Sequence, residues 1–180
     1  VRSAGGDPAA CVIDCEGSGR GFYFHSGETA SSVVQGLTIR NGNSSDGGGI
    51  YCYNSSPTLT NCVITGNATD FQGGGVSCEG SSLGLNACAI TDNSALQGGG
   101  VYVLDGSPKL IGCIIANNSC DHNGGGAFCS GAELVFQNCE IGENWALSLW
   151  DGAGAGVYTS SGSTQLTNCV LRSNTAAYAG

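Results

Sequence analysis

Methionine is absent from this chain of 180 residues, histidine occurs twice and proline three times. Only 5 residues are basic against 14 acidic, a formal net charge of −9. The basic side chains (Arg2, Arg20, Arg40, Lys109, Arg172) are scattered. Phosphate binding needs basic clusters, so nucleic acid is excluded as a partner. No apolar run approaches the ~20 residues of a membrane-spanning helix, so membrane insertion by this segment is not expected. There is no Cys-x-x-Cys, and His25 and His122 lie far apart, which argues against a zinc site. Charged residues are only 11% and glycine is abundant, at 32 residues. That balance alone would allow disorder, but 41% of the residues are hydrophobic and they fall in strict period.

The period is the dominant feature. Gly47-Gly48-Gly49-Ile50-Tyr51-Cys52 is followed by Asn61-Cys62-Val63-Ile64-Thr65-Gly66-Asn67. Glycine triplets return at Gly73, Gly98 and Gly124, and weakened at Gly154-Ala155-Gly156. A cysteine returns in step at Cys62, Cys88, Cys113, Cys139 and Cys169, with spacings of 26, 25, 26 and 30 residues. An asparagine follows each, at Asn67, Asn93, Asn118, Asn144 and Asn174. Within each copy the apolar positions alternate, as in Ile50/Cys52, Val76/Cys78 and Val101/Val103. Further columns are Leu59, Leu85, Leu110, Phe136, Leu166 and Ile64, Ile90, Ile115, Ile141, Leu171.

Period two in short runs means strands. One such unit cannot bury its own apolar face, so the units must stack. The expected fold is all-β: a right-handed parallel β-helix of about six to seven coils of 25–30 residues, with about three short strands per coil and ~4.8 Å between coils. The asparagine column is expected to turn the chain and to hydrogen-bond to its own copies, a structural role. Residues 1–35 read as an irregular leader and residues 36–180 as regular repeats of one domain. Neither end reads as capped. The chain is therefore expected to be a segment of a longer protein or a unit that stacks end to end on itself.

Eleven cysteines suggest an oxidising, extracellular or cell-surface location. Three coils carry cysteines ten residues apart, Cys52/Cys62, Cys78/Cys88 and Cys129/Cys139, and these are candidate disulfides across one coil. Cys113/Cys120 is a substitute pair in the coil where Val103 replaces the first cysteine. The alternative is a ladder of reduced thiols used as small apolar core residues.

These repeats resemble right-handed parallel β-helix proteins of the pectin-lyase-like superfamily, the cell-surface kind above all, including polymorphic outer-membrane protein repeats. Isoleucine or leucine stands where those repeats have the Phe of Phe-x-x-Asn. The resemblance implies the fold and leaves the function open, because this fold serves lyases, hydrolases, adhesins and stalks alike. An enzyme of that kind needs a carboxylate cluster with a nearby Arg, Lys or His. Here Asp46, Asp70, Asp121 and Asp151 precede the glycine triplets, but basic neighbours are missing. They read as turn residues or as weak Ca²⁺ ligands. A second candidate is the outward column Tyr23, Tyr51, Ser77, Tyr102, Phe128, Tyr158, an aromatic stripe that suits sugar rings or another copy of the chain. The same stripe also has a purely structural use in cross-strand stacking. Trp145 and Trp150 fall in the longest repeat, where an inserted loop either binds a ligand or packs back on the coil. Asn43, Asn54, Asn67 and Asn117 are glycosylation sequons, of which Asn67 belongs to the ladder and should be inaccessible. Taken together, the expectation is a non-enzymatic extracellular structural or adhesive module. A pectin-lyase-like carbohydrate-active enzyme and a carbohydrate-binding module are the alternatives.

Overall fold

The chain turns a corner every few residues, and each corner is built from a single left-handed residue. The computed structural model describes residues 1–148 and 154–178. One corner row is Gly36, Asn61, Gly112, Asn138 and Asn168, all near φ +50° to +68°, with Ala87 at φ 50° in the same place. Asparagine tolerates this geometry through its short polar side chain. A second row is Asn41, Gly66, Asp92, Asn117, Glu143 and Ser173. Between corners only short strands fit, mostly of three to six residues.

Among the described residues the strands form four parallel sheets that run along the stack. The triplet sheet has six strands: Phe22–Phe24, Ile50–Tyr53, Val76–Ser81, Val101–Gly106, Ala127–Ser130 and Val157–Thr159. The leucine sheet also has six, from Val33–Gln35 to Gly162–Thr167. The isoleucine sheet has seven, from Val12–Asp14 to Val170–Arg172. A short sheet of four strands runs from Ser94–Ala95 to Thr175–Tyr178. The result is a parallel solenoid of about six turns. Residues 1–35 contribute more order than an irregular leader. After a 3-10 turn at Pro8–Ala10, Ile13 pairs with Ile39 and Tyr23 with Tyr51 in the same registers as later coils.

The registers put every column on its own copies. Leu59 faces Leu85, Leu85 faces Leu110, and Leu110 faces Phe136. Ile64, Ile90, Ile115 and Ile141 align likewise, all fully buried. Each of these buried side chains contributes roughly 1.5–3 kcal/mol relative to exposure.

The asparagine column satisfies its own buried amides. Asn93 Nδ2 donates to Ile64 O and to Asn118 Oδ1, both at 3.0 Å. The same oxygen accepts the Asn93 backbone N–H at 3.1 Å. Asn67, Asn118 and Asn144 repeat this set, from Gly42 at one end to Asn174 at the other. A buried amide is tolerated here because each of its polar atoms has a partner. The glycine triplets are dictated by space. A Cβ on Gly100 would lie 2.5 Å from Gly126 O and 3.0 Å from the Asn118 amide.

The cysteines correct an expectation. All eleven are free thiols. The pairs Cys52/Cys62, Cys78/Cys88 and Cys129/Cys139 do not form, because the two columns stack axially and do not meet across the coil. Cys52 lies in register with Cys78. Cys88 interacts with Cys113 and Cys62 in the neighbouring coils, which together with burial pushes its thiol up. Each corner sulfur is turned to main-chain oxygens: Cys62 Sγ donates to Thr60 O at 3.4 Å and Val34 O at 3.6 Å. Cys113 and Cys120 are separated as well. Cys120 belongs to a small cluster with Ala146 and Ala155, apart from the main core that holds Cys113.

Candidate functional site

The outward column of the triplet sheet is a surface feature that the repeat builds from aromatic side chains. Tyr23, Tyr51, Ser77, Tyr102, Phe128 and Tyr158 stand in register, one per coil. Tyr23 and Tyr51 stack at 5.2 Å with planes 5° apart. Tyr102 and Phe128 stack at 5.1 Å and 6°, and Phe128 and Tyr158 at 5.5 Å and 18°. Such pairs contribute about 0.5–1.5 kcal/mol each beyond area burial.

The column is not a uniformly open stripe. Tyr23 is 49% exposed, whereas Tyr102 and Phe128 are at 8% and 6%. The turn that precedes each strand folds back onto it: a Cβ on Gly98 would lie 2.9 Å from the Tyr102 Cα and Cβ. Tyr51 and Tyr158 are half-buried, so the open ring of the column is Tyr23, and the aromatic surface is broader there than the column alone. His25 stacks on Tyr23 at 4.2 Å, and Tyr53, 45% exposed, tilts against Tyr51. The Arg20 guanidinium lies over Tyr23 and Tyr51, at 5.2 and 5.0 Å from the ring centres, and donates to Ser44 Oγ. Alternation reveals the column, and the structure adds His25, Tyr53 and Arg20 to it. Their signal was Tyr51-x-Tyr53 and Tyr23-x-His25, where the second residue falls on the same outward side.

Between the two stacks the column is interrupted. Ser77 is fully buried, and its Oγ has no hydrogen-bond partner. Glu79, two residues on along the same strand, stands beside the Tyr51 hydroxyl. Burial first, then Glu79 and Asp46, push the Tyr51 phenol well above the usual tyrosine range. Burial, Glu79, Asp46 and Asp105 push Tyr102 up in the same way. The two phenols thus share one acidic neighbourhood. Among the described residues no ion pair involves Glu79, Asp46 or Asp105.

Among the described residues, Asp46, Asp70 and Asp121 do not gather into one site. Asp46 aligns with Gln72, and Gln72 with Gln97, so its axial neighbours are amides. Asp70 and Asp121 are exposed and sit at other positions of the turn, and Asp151 lies outside the described residues. Among the described residues no three of His, Cys, Asp and Glu converge as ion ligands. Two arginines are occupied elsewhere: Arg40 pairs with Asp14, and Arg172 with Glu140 and Glu143. Of the tryptophans, Trp145 is 38% exposed in the short sheet beside Ser119 and Thr175, and Trp150 lies outside the described residues. Asn43, Asn54 and Asn117 are exposed, whereas Asn67 is buried in the ladder. Two hollows, about 540 and 490 Å³, open at the two end coils, one beside Leu166 and Leu171, the other beside Phe22 and Phe24.

The family model for the right-handed β-helix region matches residues 49–179. The chain belongs to the right-handed β-helix family. This agrees with the parallel registers and with the pectin-lyase-like resemblance of the repeats. No curated protein and no solved structure matches the chain. As a β-helix, it carries its stacked aromatic column on the triplet sheet, and its buried asparagines serve the ladder.

Proposed function

We propose that this β-helix is a non-enzymatic structural and adhesive module that works outside the cell, as part of a surface stalk or as a filament unit. The observation that supports this reading is the unbroken asparagine ladder from Gly42 to Asn174, with the apolar columns beside it. The repeat is spent on axial continuity, and the residues it holds constant are those that join coil to coil. An axial partner, a second copy or further coils, would cover the exposed Leu166 and Leu171, whose counterparts Phe136 and Ile141 are fully buried one coil away.

A carbohydrate-binding role is favoured by one further observation, the exposed Tyr23, Tyr53 and His25 rings around Arg20. Sugar rings pack on aromatic faces of that kind.

The test is electron microscopy of native, untagged material, with release of reducing ends and unsaturated products from pectin and polygalacturonate measured on the same sample. Axial assemblies or longer stalks without polysaccharide turnover support the structural reading. Discrete particles that cleave polysaccharide overturn it.

A further inference from the structure

The broken place in the aromatic column carries more than a gap. The strands of Tyr51 and Tyr102 are two inter-coil spacings apart, ~9.6 Å, with Ser77 between them. Everywhere else among the described coils a ring fills this position. Here the filling is a hydroxyl that is shut off from solvent and lacks a partner. A buried hydroxyl without a hydrogen bond is costly, which marks the position for a group that supplies a donor. Around it stand Glu79, Asp46 and Asp105, with no cation paired to them among the described residues.

The chain itself shows what such a setting holds. One step along the column, the Arg20 guanidinium covers Tyr23 and Tyr51 and donates to a serine hydroxyl, Ser44 Oγ. That neighbouring arrangement has two tyrosines, one serine acceptor and a planar cation. The Ser77 position has two tyrosines, one serine acceptor and added carboxylates, and among the described residues no cation lies over Tyr102 or pairs with those carboxylates. We infer that the notch between Tyr51 and Tyr102 is a binding site for the guanidinium of an arginine presented by a basic segment of a partner protein, with Ser77 Oγ and Glu79 as acceptors. The planar cation stacks on both rings, donates into the notch, and offsets charge that the acidic surface leaves unbalanced. Ser77 is fully buried and Tyr102 nearly so, so insertion requires a flanking ring to move, and binding changes the tyrosine environment. This names the kind of partner for the adhesive part of the proposed function, and rests on that part alone.

The test uses the whole chain and three tripeptide amides, acetyl-Gly-Arg-Gly, its lysine counterpart and its uncharged citrulline counterpart. Binding is followed by calorimetry and by near-ultraviolet circular dichroism of tyrosine. The arginine peptide is expected to bind weakly, with a Kd on the order of 1 mM for a single side chain. It should change the tyrosine signal and lose affinity in high salt. Citrulline should bind at least tenfold more weakly. Ser77→Phe, which completes the column as Phe128 does two coils on, should abolish binding, and Glu79→Gln should weaken it about tenfold. Glu79 is half-exposed, so that variant keeps the test alive where Ser77→Phe fails to fold. Equal binding of citrulline, binding untouched by Glu79→Gln, or no binding at 10 mM peptide overturns the inference. An oligosaccharide that binds wild type and is lost in Ser77→Phe, with the arginine peptide inert, also overturns it and assigns the notch to a sugar ring. Axial assembly of Glu79→Gln seen by microscopy reports on the structural reading separately.

Discussion

Asn118→Ala should be among the most damaging single substitutions in the chain, and its cost can be worked from the ladder. The side chain makes four hydrogen bonds. Its Nδ2 donates to Ile90 O at 2.9 Å and Asn144 Oδ1 at 3.0 Å. Its Oδ1 accepts from Asn93 N at 3.1 Å and Asn93 Nδ2 at 3.0 Å. After truncation Asn93 Nδ2 keeps Ile64 O, and Asn144 Oδ1 keeps the Asn118 backbone N–H. The Asn93 N–H loses its partner inside a residue that is 1% exposed. One orphaned buried donor costs about 1–3 kcal/mol, and each of the three other lost bonds a further ~0.5–1.5, so a loss of about 3 kcal/mol or more is expected. With a urea slope of about 2 kcal/mol/M, the midpoint should fall by roughly 1.5 M. Far-ultraviolet circular dichroism of urea titrations measures it. A shift below about 0.5 M at unchanged slope would refute the ladder argument. Asn118→Asp sharpens the test. It keeps the acceptor for Asn93 but loses both donors, and burial raises the carboxyl pKa above its unfolded value. Its folded form then binds more protons than its unfolded form, so stability should be greatest in acid and fall as pH rises through the folded pKa.

Three other outcomes are expected. Gly100→Ala should destabilise by more than 2 kcal/mol, because the added Cβ meets the rigid Gly126 carbonyl at 2.5 Å, whereas Gly112→Ala meets nothing within 4 Å and should cost only the ~1 kcal/mol of its φ of +61°; thermal melts of the two variants compare them. Native protein treated with an alkylating reagent should gain mass at Cys11, Cys15 and Cys169, which are half-buried, and at the eight buried thiols only in denaturant; burial also pushes Cys120 up to about 12, so it should resist alkylation at pH 8. Because Tyr51 ionises above the tyrosine range, its neutral form contributes stability that is whole below about pH 10 and lost as pH rises through its folded pKa. The stabilities of wild type and Tyr51→Phe should therefore run parallel below pH 10, with wild type falling relative to the variant above it.

The sequence disclosed the columns because each coil repeats the same contacts. Leu59 announces Leu85 and Leu110 at fixed spacing, and the structure stacks them in that order. Ten-residue cysteine spacing carried no such guarantee. Periodicity tells which copies lie above one another, while the meeting of two columns inside one coil depends on where the corners fall. Asn54 and Asn61 turn the chain between Cys52 and Cys62, so Cys52 lies in the triplet sheet and Cys62 at the corner after the leucine sheet. The aromatic column was legible as a column, yet its cover was not. That Tyr102 is nearly closed off while Tyr23 is open follows from a turn folding back at Gly98, a tertiary contact that alternation does not encode. The aspartates failed to stack for a similar reason. They lie near the triplets by count, but Asp46 shares its register with Gln72.

The direction of the main-chain hydrogen bonds gives this protein a distinctive mechanical character. All of the sheet ladders, and the asparagine amides with them, bridge one coil to the next along the axis. Bending or twisting the stack loads many of these bonds at once. Tension applied to the two chain termini instead peels the outermost coil, a few bonds at a time, as a zipper opens. Each released coil of about 26 residues pays out roughly 90 Å of slack chain. Under sustained pull such a stack lengthens in even steps without snapping, and absorbs work at every coil.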